Sequence, residues 1–293
     1  FVGGLVGGVS YAAAVGAFAR GKVGGLQESF GPVWSPKEQA EDLADIRVHA
    51  LARRALEIAA AGGHRLLFLT SPGGGAAPLA RRLTTLLPTM TQEEALEHSM
   101  VTSVSGLLNP EHGALRSRPF RAPHHTCSLT GMVGGGDPVR PGEVSLADGG
   151  VLFLDELSEF RRDTCEHVAR VLTDGEVVIA KRDERIRFPA RPLLVGAINA
   201  CMCGTRCTCT PERKADWSRR IDRLREQFGF TMVVELTGVT AKELTERGEG
   251  SAPVRKRVVA ARARAAARGA RWGSRSCSPI GVDLLPTDAA AAS

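Results

Sequence analysis

Three unbroken apolar runs constrain this chain more than any other feature: Leu66-Leu67-Phe68-Leu69, Val151-Leu152-Phe153-Leu154 and Leu193-Leu194-Val195-Gly196-Ala197-Ile198. A strand with one face in water alternates apolar and polar residues, whereas a strand covered on both faces need not. Each run therefore predicts a buried strand, and each ends in chemistry. The first runs into Ser71-Pro72-Gly73-Gly74-Gly75, the second into Asp155-Glu156 and the third into Asn199. A parallel sheet delivers the C-terminal ends of its strands to one edge, so the pattern predicts an α/β fold with a site along that edge.

A helical stretch over residues 42–61 precedes the first run, with Leu43, Ile46, Leu51, Leu56 and Ile58 at helical spacing and Gly62-Gly63 as its stop. A second helix, over residues 79–87, follows the glycines. Strand, glycine-rich turn and helix form the architecture of a phosphate-binding loop, in which backbone N–H groups and a helix N-terminus face an anion. Asp155 and Glu156 stand where a phosphoryl-transfer ATPase places its Walker B acids, one near Mg²⁺ and one near the attacking water. A surface turn that holds two acids is the alternative. Asn199 is neutral and suited to orienting water or contacting a γ-phosphate.

At 43% hydrophobic and 24% charged residues the chain excludes disorder, and its 33 glycines cluster without a fixed period, which excludes a solenoid. Seven cysteines, four of them inside residues 201–209, point to a reducing compartment and hence the cytoplasm. Residues 1–19 carry no charge, and their length permits a membrane span. Their glycines and alanines make them weakly apolar and no aromatic belt flanks them, so no membrane association is expected. Residues 1–41 read as the remnant of an upstream domain followed by a linker containing Pro32, Trp34 and Pro36.

The formal charge of +6 has a local origin. Arg255, Lys256, Arg257, Arg262, Arg264, Arg268, Arg271 and Arg275 fall in one stretch without an acid, so the rest of the chain is slightly acidic. An alanine-rich cationic helix of this kind is read either as a DNA-phosphate contact or as a solvated helix face.

A series of short motifs, in order, resembles the magnesium-chelatase-like AAA+ ATPases of the ComM and YifB type. They are Ala59-Ala60-Ala61-Gly62-Gly63-His64, Arg118-Pro119-Phe120-Arg121-Ala122-Pro123-His124-His125, Val133-Gly134-Gly135-Gly136 and Arg140-Pro141-Gly142-Glu143-Val144-Ser145-Leu146-Ala147. Residues 150–160, Asp174-Gly175-Glu176-Val177, Phe188-Pro189-Ala190-Arg191 and Cys207-Thr208-Cys209-Thr210-Pro211 continue the series. The resemblance implies a P-loop NTPase-type parallel sheet with a smaller helical lid: a nucleotide-binding core over residues 42–236, then the lid and a basic tail over 237–293. It also implies ATP and Mg²⁺ as cofactors, a hexameric ring of like or unlike subunits, and ATP-driven remodelling, with DNA branch migration as the activity associated with the ComM type.

The chain departs from that family where chemistry is densest. The family's phosphate loop ends Gly-Lys-Thr, but here the sequence is Gly73-Gly74-Gly75-Ala76-Ala77-Pro78, with Ala76 at the lysine position and Ala77 at the threonine position. Losing one charge-assisted hydrogen bond costs about 1.5–3 kcal/mol, roughly 10- to 150-fold in binding, and losing the hydroxyl removes an Mg²⁺ ligand. Pro78 offers no N–H and biases Ala77 away from the helical conformation. Two readings follow: an ATP-binding protein with impaired hydrolysis, and a pseudo-ATPase serving as a structural or regulatory subunit. No arginine aligns with the one the family supplies to a neighbouring subunit's nucleotide; Arg223 is the nearest. Arg255 or Arg257, at the start of the basic helix, is the expected phosphate contact from the lid.

Cys201, Cys203, Cys207 and Cys209 offer four thiols, as a structural zinc site does. One intervening residue within each pair, and a connecting loop shorter than the family's, favour an exposed reduced-thiol loop in which the four do not converge. His124 and His125 have no carboxylate near them in sequence and read as loop packing.

Overall fold

The computed structural model of the chain describes residues 5–6, 9–10, 41–46, 49–71, 74–108, 117–181, 184–201, 203, 207–236 and 248–268. Most of the uncharged N-terminal stretch, Gly73, Arg271 and Arg275 lie outside the described residues, as does most of the tail. Among the described residues no helix is long and apolar enough to cross a membrane.

In chain order the main elements are α1 (Ala50–Gly62), β1 (Leu66–Thr70), α2 (Ala76–Leu86), α3 (Gln92–Val104), β2 (Phe120–Arg121) and β3 (Val151–Leu154). There follow α4 (Arg162–Asp174), β4 (Leu193–Asn199), α5 (Pro211–Phe228), β5 (Met232–Leu236) and α6 (Ser251–Ala267). The five strands form one sheet in the order β5-β1-β4-β3-β2, and every pairing is parallel. A separate antiparallel hairpin, Glu176–Lys181 with Glu184–Pro189, follows α4.

The three apolar runs are β1, β3 and β4, and their alternate residues explain the absence of polar ones. Leu66, Phe68, Val151, Phe153, Val195 and Ala197 pack to one side with α1, α2 and α6. Leu67, Leu152, Leu154, Leu194 and Ile198 pack to the other with α4, α5 and the hairpin. The sheet is thus the middle of three layers, the arrangement that parallel strands require. Gly196 is needed inside β4, because a Cβ there would stand 2.7 Å from the Phe230 ring.

The first helix is shorter than its apolar spacing predicts. Leu43–Asp45 is a separate 3₁₀ turn, capped by Asp42, whose carboxylate accepts from the Ala44 N–H at 2.8 Å. His49, in the left-handed region at φ 60°, then breaks the chain before α1, which ends at left-handed Gly63 as expected. The spacing of Leu43 and Ile46 reflects two pieces packed on one core. That core also takes Val254 and Val258 of α6. The Ser251 N–H donates to Asp42 at 2.9 Å, while the Ser251 hydroxyl accepts from the Leu43 N–H at 2.8 Å and lies 2.7 Å from the Thr85 hydroxyl. The described helix of the expected lid is therefore fastened to α2 and to the turn before α1.

Motifs distant in sequence meet at the β2 edge. Arg121 donates to both carboxylate oxygens of Glu143 at 2.6 Å, and Phe120 stacks on Phe153 with centroids 6.2 Å apart. A bidentate Arg–carboxylate pair fixes orientation as well as contact, so a strand of two residues holds its place beside β3.

Candidate functional site

At the carboxyl edge of the sheet, the ends of β1, β4 and β3 stand side by side. Thr70 and Asn199 are register partners, and the Thr70 hydroxyl is 3.4 Å from the Asn199 side-chain oxygen. The Ala200 N–H donates to the Thr70 carbonyl at 2.7 Å, and the Trp217 indole N–H donates to the Asn199 carbonyl at 2.9 Å. Asn199 is thereby held by both β1 and α5. Because Leu154 pairs with Gly196, Asp155 and Glu156 leave β3 one strand away from Asn199 at the same edge.

The glycine turn and α2 complete the edge. The Gly74 N–H donates to the Ser71 carbonyl at 2.8 Å, where a Cβ on Gly74 would collide with that carbonyl oxygen. Gly75 caps α2 in the left-handed region at φ 76°. β1, the turn and α2 follow one another in strand–turn–helix order, but the side chains that open α2 are unsuited to holding a phosphate. Ala76 opens α2 and is only 6% exposed, within the core cluster that also holds Leu79 and Leu83. Ala77 and Pro78 are exposed and carry neither cation nor hydroxyl. Ala77 is helical despite the following proline, contrary to the expected bias. Pro78 falls at the third position of α2, where the missing N–H is one that the helix leaves unpaired anyway. The proline is thus tolerated by the fold while removing a donor from the anion-facing turn.

The acidic pair is exposed, and the Glu156 backbone N–H donates to the Asp155 carboxylate at 3.0 Å. Partial burial, aided by the adjacent Glu156 charge, raises the Asp155 carboxyl above its ordinary range. Glu156 adopts φ 48°, a left-handed conformation uncommon for a residue with a side chain. Its carboxylate lies 3.1 Å from His125 Nδ1, and the His125 ring meets Phe160 edge-on with centroids 6.4 Å apart. His125 thus packs in its loop and also meets a carboxylate that its own stretch of sequence does not supply. The acid that it meets lies on another element, and only the His-His motif itself marks the position in the sequence.

The arginines are placed less favourably. Arg255 Nε donates to the Thr85 carbonyl at 2.6 Å, near the far end of α2 and about 14 Å along the helix axis from Ala76. The structure does not bring it to the glycine turn. Arg257 is engaged by both Glu57 (2.7 Å) and Glu249 (2.6 Å), which hold its guanidinium well above its ordinary range. Arg262 Nε donates to the Ala60 carbonyl at 2.8 Å. Lys256, Arg264 and Arg268 are exposed. Arg223 is exposed on α5, in a cleft with Glu166 and Arg170 on α4.

The cysteine loop differs from its expected arrangement. Cys201 Sγ lies 2.9 Å from Cys203 Sγ, 3.4 Å from Cys207 Sγ and 3.6 Å from Cys209 Sγ, and all four sulfurs lie within 4.8 Å of one another. The four thiols converge despite the short connection.

Similarity to known proteins agrees with this architecture. Residues 42–242 match the family described as magnesium chelatase, subunit ChlI. Competence protein ComM of Haemophilus influenzae is 44% identical over 228 residues, 75% of this chain and 44% of that protein. YifB of Escherichia coli is 41% identical over 232 residues, 76% of this chain and 45% of that protein. The chain thus spans under half the length of these curated relatives. Among solved structures, a chain from a complex of the BchI and BchD subunits of magnesium chelatase aligns with a TM-score of 0.46 at 20% identity, over 74% of this chain and 72% of that one. With a matched segment covering the whole sheet, and relatives this similar over three quarters of its length, the chain belongs to the magnesium chelatase ChlI family of AAA+ proteins, alongside ComM and YifB.

Proposed function

We propose that this chain is an AAA+ subunit that retains the nucleotide-site frame but does not turn over ATP, and that it acts as a structural or regulatory member of a ring. The observation carrying this reading is Ala76: a buried methyl group stands where the family places the phosphate-binding lysine. Asp155, Glu156 and Asn199 are the residual catalytic positions of the frame, with Asp155 as the Mg²⁺ ligand, and residues 73–77 are its phosphate loop. A carboxylate pair accelerates nothing unless the γ-phosphate is held in line with its water. Residues 42–236 are the core in this reading, and residues 237–293, including α6, are the lid and tail. Family membership supports ring assembly and a cytoplasmic setting, and the relation to ComM supports a client in DNA processing.

The persistence of all three strand-end residues favours a second reading, weak or conditional nucleotide binding without efficient hydrolysis. Calorimetric titration of the parent with Mg-ATP separates the two: no saturable binding supports the first reading, and weak saturable binding supports the second. Restoring the loop with Ala76→Lys, Ala77→Thr and Pro78→Met, with folding checked by thermal melting, is expected to raise affinity at least about tenfold over a weakly binding or non-binding parent. A folded restored variant with no gain in affinity would contradict the claim that the loop alone accounts for the loss.

A further inference from the structure

We infer that Cys201, Cys203, Cys207 and Cys209 form a structural zinc site that closes the loop between β4 and α5. A zinc ion bound by four thiolates at about 2.3 Å each places its sulfurs about 3.8 Å apart at the corners of a tetrahedron. The distances from Cys201 to its three neighbours, 2.9, 3.4 and 3.6 Å, together with the 4.8 Å limit on the whole set, span that spacing. The pattern is that of four groups around a common centre. Two disulfides would instead draw the sulfurs into two pairs at about 2.05 Å, whereas Cys201 is close to all three others.

The donor set narrows the choice of metal. It contains only sulfur, and soft thiolates favour zinc over magnesium or calcium, which require oxygen. Four protein ligands leave no open position for water, so the site is structural. On binding, the four thiols each lose a proton to solvent and form Zn–S bonds; one Zn²⁺ replaces four H⁺ and no electron is transferred.

The site lies beside residues that position the sheet edge. Cys201 is two residues beyond Asn199, while the residue after Cys209, Thr210, caps α5 by accepting from the Arg213 N–H at 3.4 Å. The same helix returns Trp217 to the Asn199 carbonyl. A metal joining both ends of the loop therefore fixes the start of α5 against the end of β4. This inference is independent of whether nucleotide binds.

The test uses the full chain, without a histidine tag, purified under reducing conditions. Elemental analysis is expected to give about one zinc per chain. After exchange into Co²⁺, the intense visible bands of a tetrahedral site and a sulfur-to-metal charge-transfer band in the near ultraviolet are expected, and thiol modification should release the metal. A reduced chain that stays metal-free after incubation with Zn²⁺, or a cobalt complex without the charge-transfer band, would overturn the assignment. Both measurements use the unmodified sequence, so neither depends on a cysteine variant folding.

Discussion

His125 Nδ1 lies 3.1 Å from the Glu156 carboxylate, joining the loop after β2 to the left-handed residue that ends the β3 turn. In the loop-restored variant, Glu156→Gln is expected to lower phosphate release by roughly a hundredfold or more while sparing Mg-ATP affinity, as removal of a group acting on water does. His125→Ala in the same background should change turnover more than affinity. Equal losses in both quantities would assign the pair to binding.

His98 is buried in α3, and among the described residues its Nδ1 has no hydrogen-bond partner. Burial, with the nearby Arg121 charge, lowers the imidazole to about 4, from 6.5 in the unfolded chain. Between those values the unfolded state binds more protons, so this residue's stabilisation is complete above pH 6.5 and declines as pH falls toward 4, by up to about 3 kcal/mol. Burial raises the carboxyls of Glu97 and Asp148, which act in the opposite direction. The informative quantity is therefore the difference between parent and His98→Gln in melting temperature across that window. The parent should lose more, and parallel curves would refute the assignment.

Arg65 closes two helices at once, donating to the Phe228 carbonyl at 2.6 Å and the Leu172 carbonyl at 2.7 Å. Arg65→Met should destabilise the fold by about 2 kcal/mol or more, and Arg65→Lys should recover only part, because an ammonium lacks the planar fork. Chemical denaturation checks both. An Arg65→Lys variant as stable as the parent would show that the fork contributes nothing.

The basic helix divides into two sets. Arg257 pairs with Glu57 and Glu249, whereas Lys256, Arg264 and Arg268 face solvent. If this helix contacts DNA phosphates, affinity should fall with salt, and replacing the exposed three with Gln should reduce the log–log slope by about 2 to 3. Arg257→Gln should lower stability and leave the slope unchanged. An unaltered slope for the triple variant would leave this helix as a solvated surface.

What the sequence shows, and what it conceals, follows from the range of each interaction. β1, β3 and β4 are legible because burial on both faces leaves an uninterrupted apolar run, and Asp155, Glu156 and Asn199 because strand ends share one edge. β2 is two residues long and is held by Arg121 and Glu143 and by Phe120 on Phe153, none of which local pattern reveals. The break before α1 depends on the backbone of His49. The engagement of Arg257 and the meeting of His125 with Glu156 come from chain segments brought together only by the fold. Residue spacing also misleads at the cysteines, where the turn after β4 gathers thiols that a linear count keeps apart.

Steady-state phosphate release tests the central claim most directly, with the parent chain and its Glu156→Gln variant compared under saturating Mg-ATP. The account predicts equal rates at background level, because Ala76, Ala77 and Pro78 leave the γ-phosphate unheld. Phosphate release by the parent that disappears in Glu156→Gln would contradict it.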